Sequence, residues 1–306
     1  MFKRLTMALV LLTLTVGVQA SENLSDHEAF CMNTTQPCLT YIKSSLKEAE
    51  GNIAKWYKIK TYEFDYYFDY QEFDNLHEAL SPFVDKDDLA GSFKVQVYYY
   101  YAKSLNYLKK EEEAKQYAAK AFAELDAVYN VFGDPIRLVE LANLQFIFGD
   151  KKNAMRILSD AEIRYEKNQN PIFHFELQTN KGHIFLKWQQ YDKAIQSNLK
   201  AYEAIKDTQY SAKVMVAAGN LAFCYYKNNE LANAIKFYHV ALNNTKADIY
   251  KQMYSIRLMQ VYLEAGDERE ASKWGSKIDV NSESFPQGYF SIYTRLMDQV
   301  KHTTTE

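Results

Sequence analysis

Residues 217–241 read AAGNLAFCYYKNNELANAIKFYHVA, and the spacing inside this stretch decides the architecture. Ala222 sits in one apolar run and Ala234, twelve residues on, opens another, with the polar turn Asn228-Asn229-Glu230 between them. Tyr225, Tyr238 and Ala241 recur around them at helical spacing. Small side chains on both sides of a short polar turn let two helix backbones approach closely, as a tight antiparallel helix pair requires.

Working outward, the alanine returns as Ala114, Ala154, Ala194, Ala234 and Ala271, at intervals of 40, 40, 40 and 37 residues. Each follows a polar turn, beginning at Lys109-Lys110, Gly149-Asp150, Gln189-Gln190, Asn228-Asn229 and Gly266-Asp267. Twelve residues before each alanine stand Ala102, Ala142, Gly182, Ala222 and Met259; seven after stand Ala121, Ala161, Ala201, Ala241 and Ile278. Self-similarity at a fixed period of this length marks stacked repeats, each a supersecondary unit that buries its apolar face only against a neighbour.

Composition agrees. The 306 residues include 10 Gly and 5 Pro, about 5% together against roughly 12% on average, too little turn punctuation for a sandwich, a barrel or a glycine-looped nucleotide fold. With 47% hydrophobic and 25% charged residues the chain is globular. A net charge of −3 provides no basic field for nucleic acid, and no such partner is expected.

Leu221-Ala222-x-x-Tyr225, the Asn228-Asn229 turn and Ala234-x-x-x-Tyr238-x-x-Ala241 resemble the tetratricopeptide repeat. A second copy is carried by Leu258, Tyr262, Gly266, Asp267 and Ala271, and a third by Gly182, Phe185, Tyr191, Ala194 and Ala201. The copies at 95–128 and 135–168 are looser, with Leu105 and Gln145 where the family prefers Tyr. The period exceeds the family's usual 34 residues and overlaps that of HEAT arrays, so a HEAT-like stack is the alternative fold. The fold expected is all-α: a right-handed superhelical solenoid of antiparallel helix pairs, with about five recognisable repeats over 86–280. Residues 21–85 are expected to form an N-terminal helical cap with a degenerate repeat, and 281–306 a C-terminal capping helix with a frayed tail. The capping helix is read from Tyr289, Ile292, Tyr293, Leu296, Met297 and Val300 at helical spacing.

Lys3 and Arg4, an apolar stretch from Met7 to Val18, and Val18-Gln19-Ala20 read as a signal peptide over 1–20, cut after Ala20. The expected address is periplasmic or secreted, and loss of the leader takes the charge from −3 to −5. No later segment is apolar and long enough to span a membrane. In an oxidising compartment Cys31 and Cys38 are expected to form a disulfide, leaving Cys224 as a buried, inert thiol.

Residues 62–70 alternate aromatic and acidic side chains and suit a strand, yet Tyr62, Tyr66, Tyr70 and Phe73 also share a helical face; helix is favoured. From Tyr62 to Leu89 nine acidic residues face Lys86 alone, a solvated helix face or an acidic docking surface for a basic partner.

No catalytic constellation emerges: no phosphate-cradling glycine loop, no Gly-x-Ser-x-Gly, no His-Glu-x-x-His, and six scattered histidines. No enzyme activity, metal or cofactor is expected. The resemblance instead implies a concave groove lined by the first helix of each pair. In its register the groove residues are Tyr99, Lys103, Asn106 and Tyr107; Val139, Asn143 and Phe146; Glu176, Thr179, His183 and Lys187; Phe223, Tyr226 and Lys227; Ile256, Gln260 and Leu263. Some family members hold a peptide carboxylate with Lys and Asn at such positions, which Lys103, Asn106, Asn143, Lys187 and Lys227 partly match. The function expected is an adaptor that binds a protein or peptide partner in this groove. The alternative is a sensory or ligand-binding subunit feeding a membrane signalling receptor, since repeats of this length also resemble the extracytoplasmic sensor parts of some histidine kinases and diguanylate cyclases.

Overall fold

The computed structural model describes residues 38–69, 72–282 and 284–303, so the expected leader, Cys31 and the start of the N-terminal cap lie outside the described residues. Among the described residues every regular element is helical. Three helices, α1 (Cys38–Glu48), α2 (Ile53–Asp69) and α3 (Phe73–Leu80), precede five pairs. The pairs are α4 (Gly91–Tyr107) with α5 (Glu111–Phe132), α6 (Pro135–Phe148) with α7 (Lys151–Arg164), α8 (Pro171–Lys187) with α9 (Tyr191–Ile205), α10 (Ser211–Lys227) with α11 (Leu231–Asn243), and α12 (Asp248–Glu264) with α13 (Glu268–Gly275). A 3-10 turn, Gln287–Tyr289, leads into α14 (Phe290–Thr303), which packs on both α12 and α13. Residues 62–69 are helical, as favoured, and form the second half of α2.

The five landmark alanines are each the fourth residue of the second helix, and all are fully buried at 0% exposure. The turn before them repeats in its backbone. Five residues ahead of the alanine, Lys109, Gln189, Asn229 and Gly266 adopt left-handed φ values of 64°, 58°, 63° and 78°. This conformation lets the next N–H reach back to a carbonyl on the first helix: Lys110 to Leu105 and Gln190 to Phe185 at 2.9 Å, Glu230 to Tyr225 at 2.9 Å, Asp267 to Tyr262 at 2.8 Å. The second pair departs from the pattern. Gly149 has φ −136°, and the Gln145 side chain closes the turn by accepting from the Asp150 N–H at 3.3 Å. Gln145 occupies the position where the family prefers Tyr, and this turn is the reason a polar side chain serves there.

Helix starts are marked in sequence. Asp134 and Asn170 cap α6 and α8 ahead of Pro135 and Pro171, accepting from Ile136 and Ile172 N–H groups at 3.0 and 2.9 Å. Asp150 and Asp267 cap α7 and α13.

Contact between the two helices of a pair is set by volume exchange. Gly182 on α8 faces Asn198 on α9, where a Cβ would lie 2.2 Å from the amide nitrogen. In the fifth pair the sizes reverse: Met259 stands on the first helix and Gly275, four residues after Ala271, receives it. Close packing tolerates a large side chain on either helix but not on both. Ile278, expected on the second helix, lies beyond the end of α13, which stops at Gly275 and is only eight residues long.

First helices also touch each other along the stack, α6 with α8 and α8 with α10, while each second helix packs on the next first helix. The apolar core is therefore a row of clusters running the length of the rod, closed at one end by Leu296 and Val300 of α14 and at the other by α2 and α3.

Candidate recognition groove

The side of the first helices turned away from their partners carries two interleaved rows. One is the expected row of Lys103, Asn143, His183, Phe223 and Gln260. The other, three residues earlier and one helical turn away, is Tyr100, Glu140, Asn180, Asn220 and Arg257. The second row was not anticipated. Its signal was available as polar residues recurring near the 40-residue period inside otherwise apolar helices.

The rows bind one another across helices. Tyr99 donates to Asn143 Oδ1 at 3.1 Å, Asn143 to Asn180 Oδ1 at 2.7 Å, and Asn180 to the Glu176 carbonyl at 2.8 Å. His183 is hydrogen-bonded to Asn220, and burial holds its pKa below the ordinary value, opposed by that bond and by Glu176. Farther on, Gln260 donates to the Tyr226 hydroxyl at 2.8 Å and Tyr226 in turn donates to Glu264 Oε1. Lys103 lies 3.8 Å from the Tyr99 ring centroid and 4.6 Å from that of Phe68, so the end of α2 closes the groove beside α4. Asp65 of the same helix accepts from the Tyr100 hydroxyl.

Charges along α6, α8 and the start of α10 are already matched. Arg137 bridges Asp134 at 3.3 Å and Glu140 at 2.6 Å, and Lys213 reaches Glu176 at 3.4 Å. Burial raises the Glu140 carboxyl despite the Arg137 guanidinium. The Tyr99 phenol is pushed well up by burial, then by Glu140, Glu176 and Asp65.

Of the expected groove residues, Tyr99, Lys103, Asn143, Phe146, Glu176, His183, Phe223, Tyr226 and Leu263 are half-buried on this face. Asn106, Tyr107, Lys187 and Lys227 are exposed where the first helices run into the tight turns; Tyr107 stacks on Phe73 at 3.9 Å. Val139 and Ile256 belong to the core instead, at 2% and 0% exposure, and Thr179 and Gln260 are buried. The family register placed all four on the open face, and Gln260 keeps its place there as a wall of a cleft at the C-terminal end. The stack turns the other three inward, where neighbouring first helices meet or the apolar clusters of the core claim the side chain.

The acidic stretch divides. Glu63 is buried and paired with Lys60, whereas Asp74, Glu78, Asp85, Asp87 and Asp88 are exposed. Among the described residues no group of three His, Cys, Asp or Glu is placed to hold a metal ion, and no helix is long and apolar enough to cross a membrane. Cys38 is disulfide-bonded, and its expected partner Cys31 lies outside the described residues. Cys224 is a free, buried thiol that burial pushes up to about 12, with the Asn198 amide 3.2 Å away.

No family model matches the sequence, and no curated protein matches it. Solved structures do match in shape. A chain of the APC/C hetero-tetramer Cut9-Hcn1 superposes with a TM-score of 0.57 at 14% identity, over 85% of this chain and 46% of that one. NprR in complex with its cognate peptide NprX gives 0.51 at 15% identity, over 86% and 76%. A tetratricopeptide repeat protein from Parabacteroides merdae gives 0.45 at 16%, over 82% and 87%. The chain thus spans less than half the length of the Cut9-Hcn1 chain it resembles. Identities this low carry the fold alone, and the fold is a tetratricopeptide-repeat-like solenoid, the reading the sequence favoured over a HEAT-like stack.

Proposed function

We propose that this protein is a non-catalytic scaffold, exported from the cytoplasm, that binds a protein or peptide partner along the inner face of α4, α6, α8, α10 and α12. The observation that carries the reading is the division of labour around each first helix. Buried alanines and their volume-matched partners occupy the sides that pack, and a half-buried, polar and aromatic face is left over. Aromatic bodies mixed with amide and charged groups suit an extended or helical peptide. The titratable groups on this face are bonded to one another rather than converging on one reacting position, which favours binding over catalysis. NprR, which shares the fold, was solved with a peptide bound. Export rests on the leader read in residues 1–20.

The test is recovery of partners from the extracytoplasmic fraction with the wild type and with Lys103→Glu/Asn143→Ala. The reading expects partners lost or strongly depleted in the variant. Identical partner sets from both proteins would contradict it.

A further inference from the structure

The C-terminal end of the groove differs from the rest in its charges. Arg257 Nη1 donates to Gln260 Oε1 at 3.1 Å, Gln260 Nε2 donates to the Tyr226 hydroxyl at 2.8 Å, and that hydroxyl donates to Glu264 Oε1. The result is a polarised chain with a cation at one end, an anion at the other and two neutral groups between. The guanidinium is fixed further by the rings of Phe223 and Tyr289, 5.1 and 4.9 Å away, and by the Tyr289 hydroxyl at 3.3 Å.

Opposite charges on flexible side chains ordinarily collapse into pairs, as Arg137 does with Asp134 and Glu140. Here they are held apart. Among the described residues neither Arg257 nor Glu264 has an oppositely charged group within 4 Å, and the same holds for the neighbouring Arg295 and Glu268. Glu264, Glu268 and Arg295 face one open cleft of about 710 Å³, whose remaining walls are Tyr226, Gln260, Leu263, Leu296 and Gln299. Its volume lies within the usual range of ligand sites and exceeds what a single amino acid would fill.

We propose that this cleft receives a peptide segment carrying one cationic and one anionic side chain, the anion toward Arg295 and the cation toward Glu264 and Glu268. The proposal rests on the peptide-binding reading of the groove and adds the charge pattern of the ligand. Preorganisation supports it: the Tyr226 hydroxyl orients the Glu264 carboxylate before binding, so the ligand's cation meets a partner that needs no rearrangement.

A synthetic library of random hexapeptides, presented to the full chain and sequenced after retention, tests this directly. The wild type is expected to enrich peptides that carry both Lys or Arg and Asp or Glu about tenfold over uncharged ones. Arg295→Gln, at an exposed position, should lose the preference for acidic residues alone, and Glu264→Gln/Glu268→Gln the preference for basic residues alone. Retained peptides with the charge composition of the input, or preferences unchanged in the variants, would overturn the proposal while leaving the peptide groove standing. Retention of no peptide at all would overturn both.

Discussion

Gly182 is where a single side chain most clearly decides whether a helix pair closes. An added Cβ would meet the Asn198 amide at 2.2 Å, and Asn198 is itself fully buried with its nitrogen bonded to the Ala194 carbonyl at 2.9 Å. Gly182→Ala is therefore expected to destabilise by about 1–3 kcal/mol through overpacking, and Asn198→Ala in the same chain should restore part of the loss; thermal unfolding of the single and double variants measures both. Cys224, against the same asparagine, should resist a thiol reagent at pH 8 in the native protein and react once urea exposes it, because burial pushes its pKa up to about 12. His183 gives a pH dependence. Burial lowers its pKa below the ordinary 6.5, so the native histidine stays neutral where the unfolded one takes a proton. The stability it contributes is present above that value and lost as pH falls below it. Urea midpoints should drop between pH 7.5 and pH 5.5, and drop less in His183→Gln; equal drops would remove His183 from the account.

At the scale of elements, the tight turns were legible as polar punctuation but not as conformation. Lys109, Gln189 and Asn229 give no compositional sign that all three take positive φ, a region that Asn tolerates and Lys and Gln do not favour. Their identity emerges only once the alanine register aligns them with Gly266. Gln189→Gly is accordingly expected to stabilise by about 1 kcal/mol by relieving the left-handed strain, and Gln189→Val to destabilise; midpoints moving in the opposite directions would contradict the turn geometry. Gly149, a glycine where none is needed for φ, shows the converse: its small size makes room for Gln145, whose oxygen would lie 2.6 Å from a Cβ there. The groove row at Asn143 and His183 was readable because helical spacing carries a face from one repeat to the next. Val139 and Ile256 were misplaced because that face is narrowed by contacts between neighbouring first helices, and periodicity within one repeat holds no information about its neighbours.

At the scale of the molecule, the rod is a sum of adjacent interfaces, and its ends need closing. Helix α14 buries Leu296 and Val300 against the last pair, with Met297 beside Gly275. Ending the chain at residue 286 should lower the unfolding midpoint and promote association through the uncovered core, read by light scattering alongside circular dichroism. The repeat length and the alanine register made the solenoid plain in sequence because packing repeats itself. The polarised chain from Arg257 to Glu264 did not stand out, since it occurs once and joins two helices, α12 and α10. Whether the inner face is the recognising surface can be asked directly by placing a photo-crosslinking amino acid at His183, within the groove, or at Ile163, which is 78% exposed on the second helix α7. Partner adducts from position 183 and none from position 163 are the result the account predicts; adducts from 163 with none from 183 would contradict it.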